Sequence, residues 1–188
     1  MPAPARPRSP RKDAVANRAR ILDAAAEVFR RDGFGASVEK IAREAGINVA
    51  TLYRNFPSKT ALIVAIGESL MAPLAASREA ALATARPGAI GRFLTGQIAV
   101  YHDNRGVVDA LGMPNLAPEA RERLLELAAE VLGPVVDRGH QDGSLARRFD
   151  ARDLLTATRM ANGAIASATN SGRDPERYLA VLARGLAT

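Results

Sequence analysis

Between Asp32 and Ser58 the chain is cut at three close points: Asp32-Gly33, Gly46 and Pro57-Ser58. Between the cuts lie apolar residues at helical spacing, and each run follows a side chain able to cap it. Ser37 precedes Val38, Ile41, Ala42 and Ala45, while Asn48 precedes a run in which Leu52 and Phe56 share one face. Ser58 stands ready to cap a further helix that starts at Lys59. Such punctuation predicts short helices, the second and third crossing steeply at Ala45-Gly46-Ile47, where a small residue and a glycine permit a tight turn.

The same spacing extends in both directions. A helix from Asp13 puts Ile21, Leu22, Ala25, Val28 and Phe29 on one face and stops at Gly33, a left-handed C′ residue. Residues 1–12 are rich in Pro and Arg, with little apolar content beyond Ala, and read as a disordered basic arm. The helix from Lys59 runs through Leu62, Ile66 and Leu70 and is interrupted or kinked at Pro73. Pro87-Gly88 breaks the chain before a helix through Phe93, Leu94, Ile98 and Tyr101, and a short segment, Val107 to Leu111, ends at Gly112-Met113-Pro114. Pro118-Glu119 opens a helix with Leu124, Leu125, Ala128, Val131, Leu132 and Val135 inward and a bend at Gly133-Pro134. Asp150 caps the next helix with Asp153 three positions on, and Asp174-Pro175-Glu176 opens the last. The prediction is an all-α fold of about nine helices without an internal repeat. It divides into the arm 1–12, a helix-turn-helix domain 13–60 and a helical domain 61–188.

Charge is distributed unevenly over these parts. Residues 1–60 hold 12 Lys/Arg against 6 Asp/Glu, and the remaining 14 of each fall in residues 61–188, so the whole net charge of +6 sits in the first third. A basic head on a neutral body points to a polyanionic partner for the head; a tail kept basic for solubility is the alternative. With no cysteine, disulfides, thiolate metal sites and cysteine nucleophiles are excluded. His102 and His140 show no metal-binding spacing, and His102-Asp103 reads as a surface pair or, less simply, a cavity lining. No glycine-rich phosphate loop occurs, so no catalytic residue, metal or cofactor is expected. The N-terminus lacks the apolar region of a secretory signal, and no uninterrupted run of about 18 apolar residues spans a membrane. A soluble, cytoplasmic protein is expected.

Ile41, Ile47, Leu52 and Phe56 clamp the two short helices together, which leaves Val49, Ala50, Thr51, Tyr53, Arg54 and Asn55 on the outer face of the second. These side chains are short, polar, basic or aromatic and include no acid, as a helix entering the DNA major groove requires. The residues here resemble the TetR family. The pattern carried by Ser37, Ile41, Ala42, Ala45, Gly46, Ile47, Thr51, Leu52, Tyr53, Phe56, Ser58, Lys59 and Leu62, with the run Ile21 to Phe34 before it, is similar to the family's signature over about residues 17–62. The resemblance implies phosphate contacts by Ser37, Tyr53 and Lys59, with base edges in reach of Val49, Ala50, Thr51, Arg54 and Asn55. Arg54 suits guanine or a phosphate, and Tyr53 is otherwise a core aromatic. Asn55 stands where the family often has His, which leaves its contact open. Arg6, Arg8, Arg11 and Lys12 lie along DNA or in solvent.

The resemblance also implies a small-molecule pocket in the second domain. Its candidate lining is Phe93, Gln97, Tyr101, Met113, Met160 and Asn162, all of which plain core packing would also explain. The effector expected there is lipophilic or aromatic. Ala157, Ala161, Ala164 and Ala168 share a helix face that suits close packing in a homodimer with Leu179, Leu182 and Leu186; packing inside one subunit is the alternative. Dimerisation also follows from the short reach of one reading helix, because two heads about 34–36 Å apart read a palindrome. The expected protein is a homodimeric regulator of double-stranded DNA, a repressor released by its effector. A regulator without an effector and a helical enzyme or carrier are the competing readings.

Overall fold

The computed structural model describes residues 10–33, 35–105, 107–108 and 117–188, with residues 10–14 described by backbone only. Among these residues the chain is helices and turns: α1 Pro10–Asp32, α2 Val38–Glu44, α3 Val49–Asn55, α4 Lys59–Glu68, α5 Met71–Leu82, α6 Ala89–Asp103, α7 Pro118–Asp142, α8 Ala151–Ser171 and α9 Glu176–Ala187. Arg6, Arg8 and the Gly112-Met113-Pro114 break lie outside the described residues, as do the side chains of Arg11 and Lys12.

The expected caps form locally. Ser37, Asn48 and Ser58 each accept a backbone N–H from the third residue on, that of Lys40, Thr51 and Ala61 respectively. Asp150 and Asp153 close a reciprocal capping box at the start of α8. Gly33 and Gly46 have φ of 75° and 65°, where a side chain would be strained, so the turns on either side of α2 need glycine.

Three boundaries differ from the sequence reading. α1 begins at Pro10 rather than Asp13, because proline is tolerated in a first turn, where its missing N–H has no partner in any case. The helix from Lys59 divides at Ser69-Leu70, ahead of Pro73, which falls harmlessly in the first turn of α5. α7 continues through Gly133-Pro134. Glycine before the proline removes the β-carbon that would meet the pyrrolidine ring in a helical conformation. Arg78 Nη1 donates to Val131 O at 3.1 Å in the turn where Pro134 interrupts the ladder.

Two apolar clusters result. The first packs Ile21, Phe29, Ile41, Leu52, Phe56 and Leu62, all at most 1% exposed, with Ala120 of α7 added from below. Each such side chain contributes about 1.5–3 kcal/mol by leaving water. α4, expected to open the second domain at residue 61, therefore buries Leu62, Ile63, Ala65 and Ile66 with the head. The second cluster joins α5 to α9 through Leu74, Phe93, Leu94, Leu132, Leu154 and Leu179. Residues 59–82 are, by length and composition, apolar enough to cross a membrane, a property the sequence reading missed because Lys, Ser and Glu interrupt the run. In the fold that stretch is split between two helices and supplies both clusters.

The corner between α5 and α6 is held by polar groups. Arg92 donates to Ala81 O, Arg86 O and Pro87 O at 2.7–2.9 Å. Asp142, ending α7, accepts from Ala89 N–H at the start of α6 and from the N–H and Oγ of Ser144. Burial alone would raise the Asp142 pKa, but these hydrogen bonds to the carboxylate outweigh it and hold the group below its usual range. Removing them in Asp142→Ala is expected to cost roughly 1–3 kcal/mol at neutral pH. Because the folded-state pKa is depressed, the stabilisation is present above about pH 4 and fades as pH falls through the folded value. Urea titrations at pH 7 and pH 3 should show the gap between parent and variant narrowing in acid.

Candidate nucleic-acid interface and internal cavity

α3 lies across α2 with Leu52 buried and Phe56 closing its end, and Val49 half-packed against the same cluster. Its other residues face outward. Ala50 and Arg54 are exposed, Thr51 and Asn55 half-buried, and Tyr53 is 46% exposed, so its ring is not a core aromatic. Arg54 Nη2 donates to Thr51 Oγ1 at 2.9 Å, which stands the guanidinium over the outer face as a pair with Thr51. Asn55 Nδ2 is turned back onto Thr51 O of its own helix at 2.8 Å, and that leaves only its oxygen for an outside partner. Ser37 is exposed at the start of α2.

Lys59, the first residue of α4, is half-buried with its ammonium 5.8 Å from the centroid of the Phe29 ring. Burial lowers its pKa, since a cation there has given up part of its water. Arg18 was not anticipated from the sequence: it donates to Asn55 O at 3.2 Å and lies 4.3 Å over the Phe56 ring. This guanidinium ties α1 to the carbonyl end of α3, where a cation suits the helix dipole. Asp32, closing α1, holds Lys40 of α2 at 2.9 Å. With Arg31 also beside it, the Asp32 carboxyl stays below its usual pKa.

A cavity of about 870 Å³ lies between α5, α6, α7 and α8 and reaches back to α1 and α4 at Arg30 and Gly67. Of the residues expected to line a pocket, Gln97, Tyr101, Met160 and Asn162 share this wall. Phe93 does not; its ring is fully buried in the second cluster, one helical turn below Gln97. Met113 lies outside the described residues. Gln97 donates through Nε2 to Ser77 Oγ at 3.0 Å and to Phe93 O at 3.2 Å, while its Oε1 is buried without a hydrogen bond. Asn162 Oδ1 is likewise buried and unpaired. Leu124 and Leu155, with Arg30, Arg121 and Arg159, are among the parts of the wall that the sequence reading missed. Leucines and arginines at helical spacing carry no signal that separates a cavity wall from core or surface. His102 and Asp103 are exposed and not part of it, and no cluster of potential metal ligands occurs among the described residues.

The alanine face of α8 requires a correction. Ala157, Ala161 and Ala168 are at most 3% exposed within the single chain, and Leu179 and Leu186 join them in its interior. Leu182 packs against the second cluster from the side, and only Ala164 among the alanines is partly open. Ala157, Ala161 and Ala168 bring helices of one chain close together, so the packing is within the subunit at these three positions. The exposed apolar side chains on α8 and α9 are instead Met160, Tyr178 and Val181.

A short helix presented on another by a glycine turn, with its open face free of acids, defines the helix-turn-helix class of proteins. Residues 21–66 match the family model for bacterial regulatory proteins of the tetR family. The HTH-type transcriptional regulator UidR of Escherichia coli is 47% identical over 55 residues, 29% of this chain and 28% of UidR. The chain thus matches under a third of the length of the curated relatives. Over whole chains, Salmonella enterica GusR is 26% identical with a TM-score of 0.65, covering 92% of this chain and 96% of that one. A transcriptional regulator FadR from Bacillus subtilis, in complex with stearoyl-CoA, shares the fold at 16% identity and a TM-score of 0.70, covering 90% of this chain and 97% of its own. UidR and FadR are named as transcriptional regulators.

Proposed function

We propose that the chain is a homodimeric repressor that binds a palindromic operator in double-stranded DNA and leaves it when a lipophilic small molecule fills the cavity. The observation that carries this reading is the outer face of α3, where Thr51, Tyr53 and Arg54 stand clear of the core with no acid among them. Tyr53 and the desolvated ammonium of Lys59 flank that face and contact phosphates, as does Ser37 at the start of α2. Thr51 and Arg54 read base edges as a unit, with Val49 and Ala50 packed against the groove floor. Asn55 contributes least, its amide nitrogen being occupied within α3. The protein then acts in the cytoplasm, where its DNA is. The stearoyl-CoA complex of the FadR neighbour supports the view that this fold can hold a small molecule.

Two copies associate through the exposed side of α8 and α9, where Met160 and Val181 are each 60% exposed and Tyr178 41%. Burial of these side chains in a four-helix contact would remove from water three of the five large exposed hydrophobic residues among the described ones. Val181→Arg is expected to shift the protein from dimer to monomer in sedimentation velocity and to abolish binding to a full palindrome. An unchanged sedimentation coefficient would place the dimer contact elsewhere.

Selection of bound duplexes from a random pool, followed by gel shifts at two salt concentrations, tests the main reading. One palindrome should emerge, and its affinity should fall steeply with salt as counterions are released. Lys59→Gln and Tyr53→Phe should weaken binding to all sequences alike, whereas Arg54→Ala and Thr51→Ala should alter base preference, each by about 1–3 kcal/mol at the affected position. Because Arg54 and Thr51 are hydrogen-bonded, the double variant should lose less than the two single losses together. Recovery of no consensus would overturn sequence-specific regulation.

A further inference from the structure

Ser77, Gln97 and Thr158 are the buried polar side chains among the described residues, and two of them, Gln97 and Thr158, line the cavity. Thr158 Oγ1 donates to Leu154 O at 2.8 Å and Ser77 Oγ to Phe93 O at 3.4 Å, so both hydroxyl protons are placed. Gln97 is served on one side only. Its Nε2 donates to Ser77 Oγ at 3.0 Å and to Phe93 O at 3.2 Å. Phe93 O can only accept, so the amide must turn its nitrogen to that pair and its oxygen away from it. Oε1 is left buried without a hydrogen bond. This brace is built into the packing. A β-carbon at Gly96 would overlap Ser77 Oγ, so glycine there admits the hydroxyl that holds the Gln97 nitrogen.

A buried carbonyl oxygen without a donor has lost its water and gained no partner in exchange. Leu70, Leu74, Leu124 and Leu155 of the same wall have no donor to offer it. Asn162 of α8 brings a second such oxygen to the cavity, since its Oδ1 is also buried and unpaired. We infer that the cavity takes an apolar molecule carrying a hydrogen-bond donor, an O–H or N–H group that meets Gln97 Oε1 while the hydrocarbon lies against the leucines. This names a ligand class for the regulator proposed above and rests on that reading only for what binding does to DNA. A molecule of equal size without a donor fills the space but leaves the oxygen bare, and a site with a buried polar group discriminates against such an analogue.

The test compares decan-1-ol with its isomer 1-methoxynonane, each below its solubility limit, by titration calorimetry on the full chain. The ether keeps the size and the oxygen but has no donor. Decan-1-ol should bind saturably and about tenfold tighter than the ether. In a cavity without an acceptor, the alcohol would give up its hydrogen bonds to water and bind no better than the ether. Decanamide separates the donor's sources: tighter binding than the alcohol assigns N–H, weaker binding O–H. Gln97→Met removes the acceptor at similar side-chain length. It should abolish most of the preference for decan-1-ol and leave the ether's affinity unchanged, with circular dichroism checking the fold. The comparison of alcohol and ether on the parent chain needs no variant, and it decides the question if Gln97→Met does not fold. Equal affinity for the two isomers, a tighter ether, an alcohol preference undiminished in Gln97→Met, or no saturable binding of any probe would overturn the inference. Gel shifts on the same preparations keep the two readings apart. A chain that binds its selected duplex but shows no alcohol preference refutes the donor-bearing ligand alone; one that prefers the alcohol but binds no duplex refutes the regulator alone.

Discussion

At Gly67 the backbone of α4 lies against Leu124 of α7 so closely that a β-carbon would overlap the leucine methyls. One turn earlier on α7, Ala120 is fully buried among the residues of the head. Small residues on both helices thus let the two clusters meet along a single tight seam. α4 spans it: Leu62 and Ile66 belong to the head, and Gly67 borders the cavity. The distance from Gly67 to Lys59 along the helix is roughly 12 Å at 1.5 Å per residue. A displacement of Leu124 has no slack to absorb it on the α4 side, because close-packed interiors deform in steps rather than continuously.

What could be read from the sequence was whatever a side chain does to its own backbone. Ser37, Asn48, Ser58 and Asp150 cap the helices they precede because the hydrogen bond involved is local and its spacing fixed. The outer face of α3 followed from which residues had to point inward. The start of α1 and the division at Ser69-Leu70 were missed because proline in a first turn is compatible with both a helix and a break. The alanines of α8 show a different limit. Periodicity tells which residues share a face but not whose surface that face meets, and Ala157, Ala161 and Ala168 meet their own chain. Likewise Arg121 and Arg159 look in sequence like any solvated arginine. Only the approach of three helices turns them into a wall.

The cations of this protein work in two dielectric regimes. Those on the outer face of the head, such as Arg54, stand in water and act over a distance that salt sets, about 8 Å at physiological ionic strength. Lys59 against Phe29 is partly withdrawn onto an aromatic face, where screening is weaker, while Arg18 stacks over Phe56 and stays exposed. The Asp142 carboxylate follows the same logic with opposite sign, since the hydrogen bonds it accepts outweigh the cost of its burial. Many polar groups thus sit where helices begin and end, with Ser77, Gln97 and Thr158 buried within helices as exceptions.

The narrowness of the seam has a consequence for how such chains diversify. Among the described residues, Ala120 is the one fully buried member of the head's cluster drawn from beyond α4, with Val107 and Ala117 packed at its edge, so the head's core is built mainly from its own four helices. Its packing constraints end at one helix face, and residues past it are free to drift without unfolding the reader. Strong identity confined to 55 residues and a fold shared over nine-tenths of the chain are what that freedom produces. Grafting this head onto another body therefore reduces to matching one junction, a small residue on the incoming α7 and a glycine on α4.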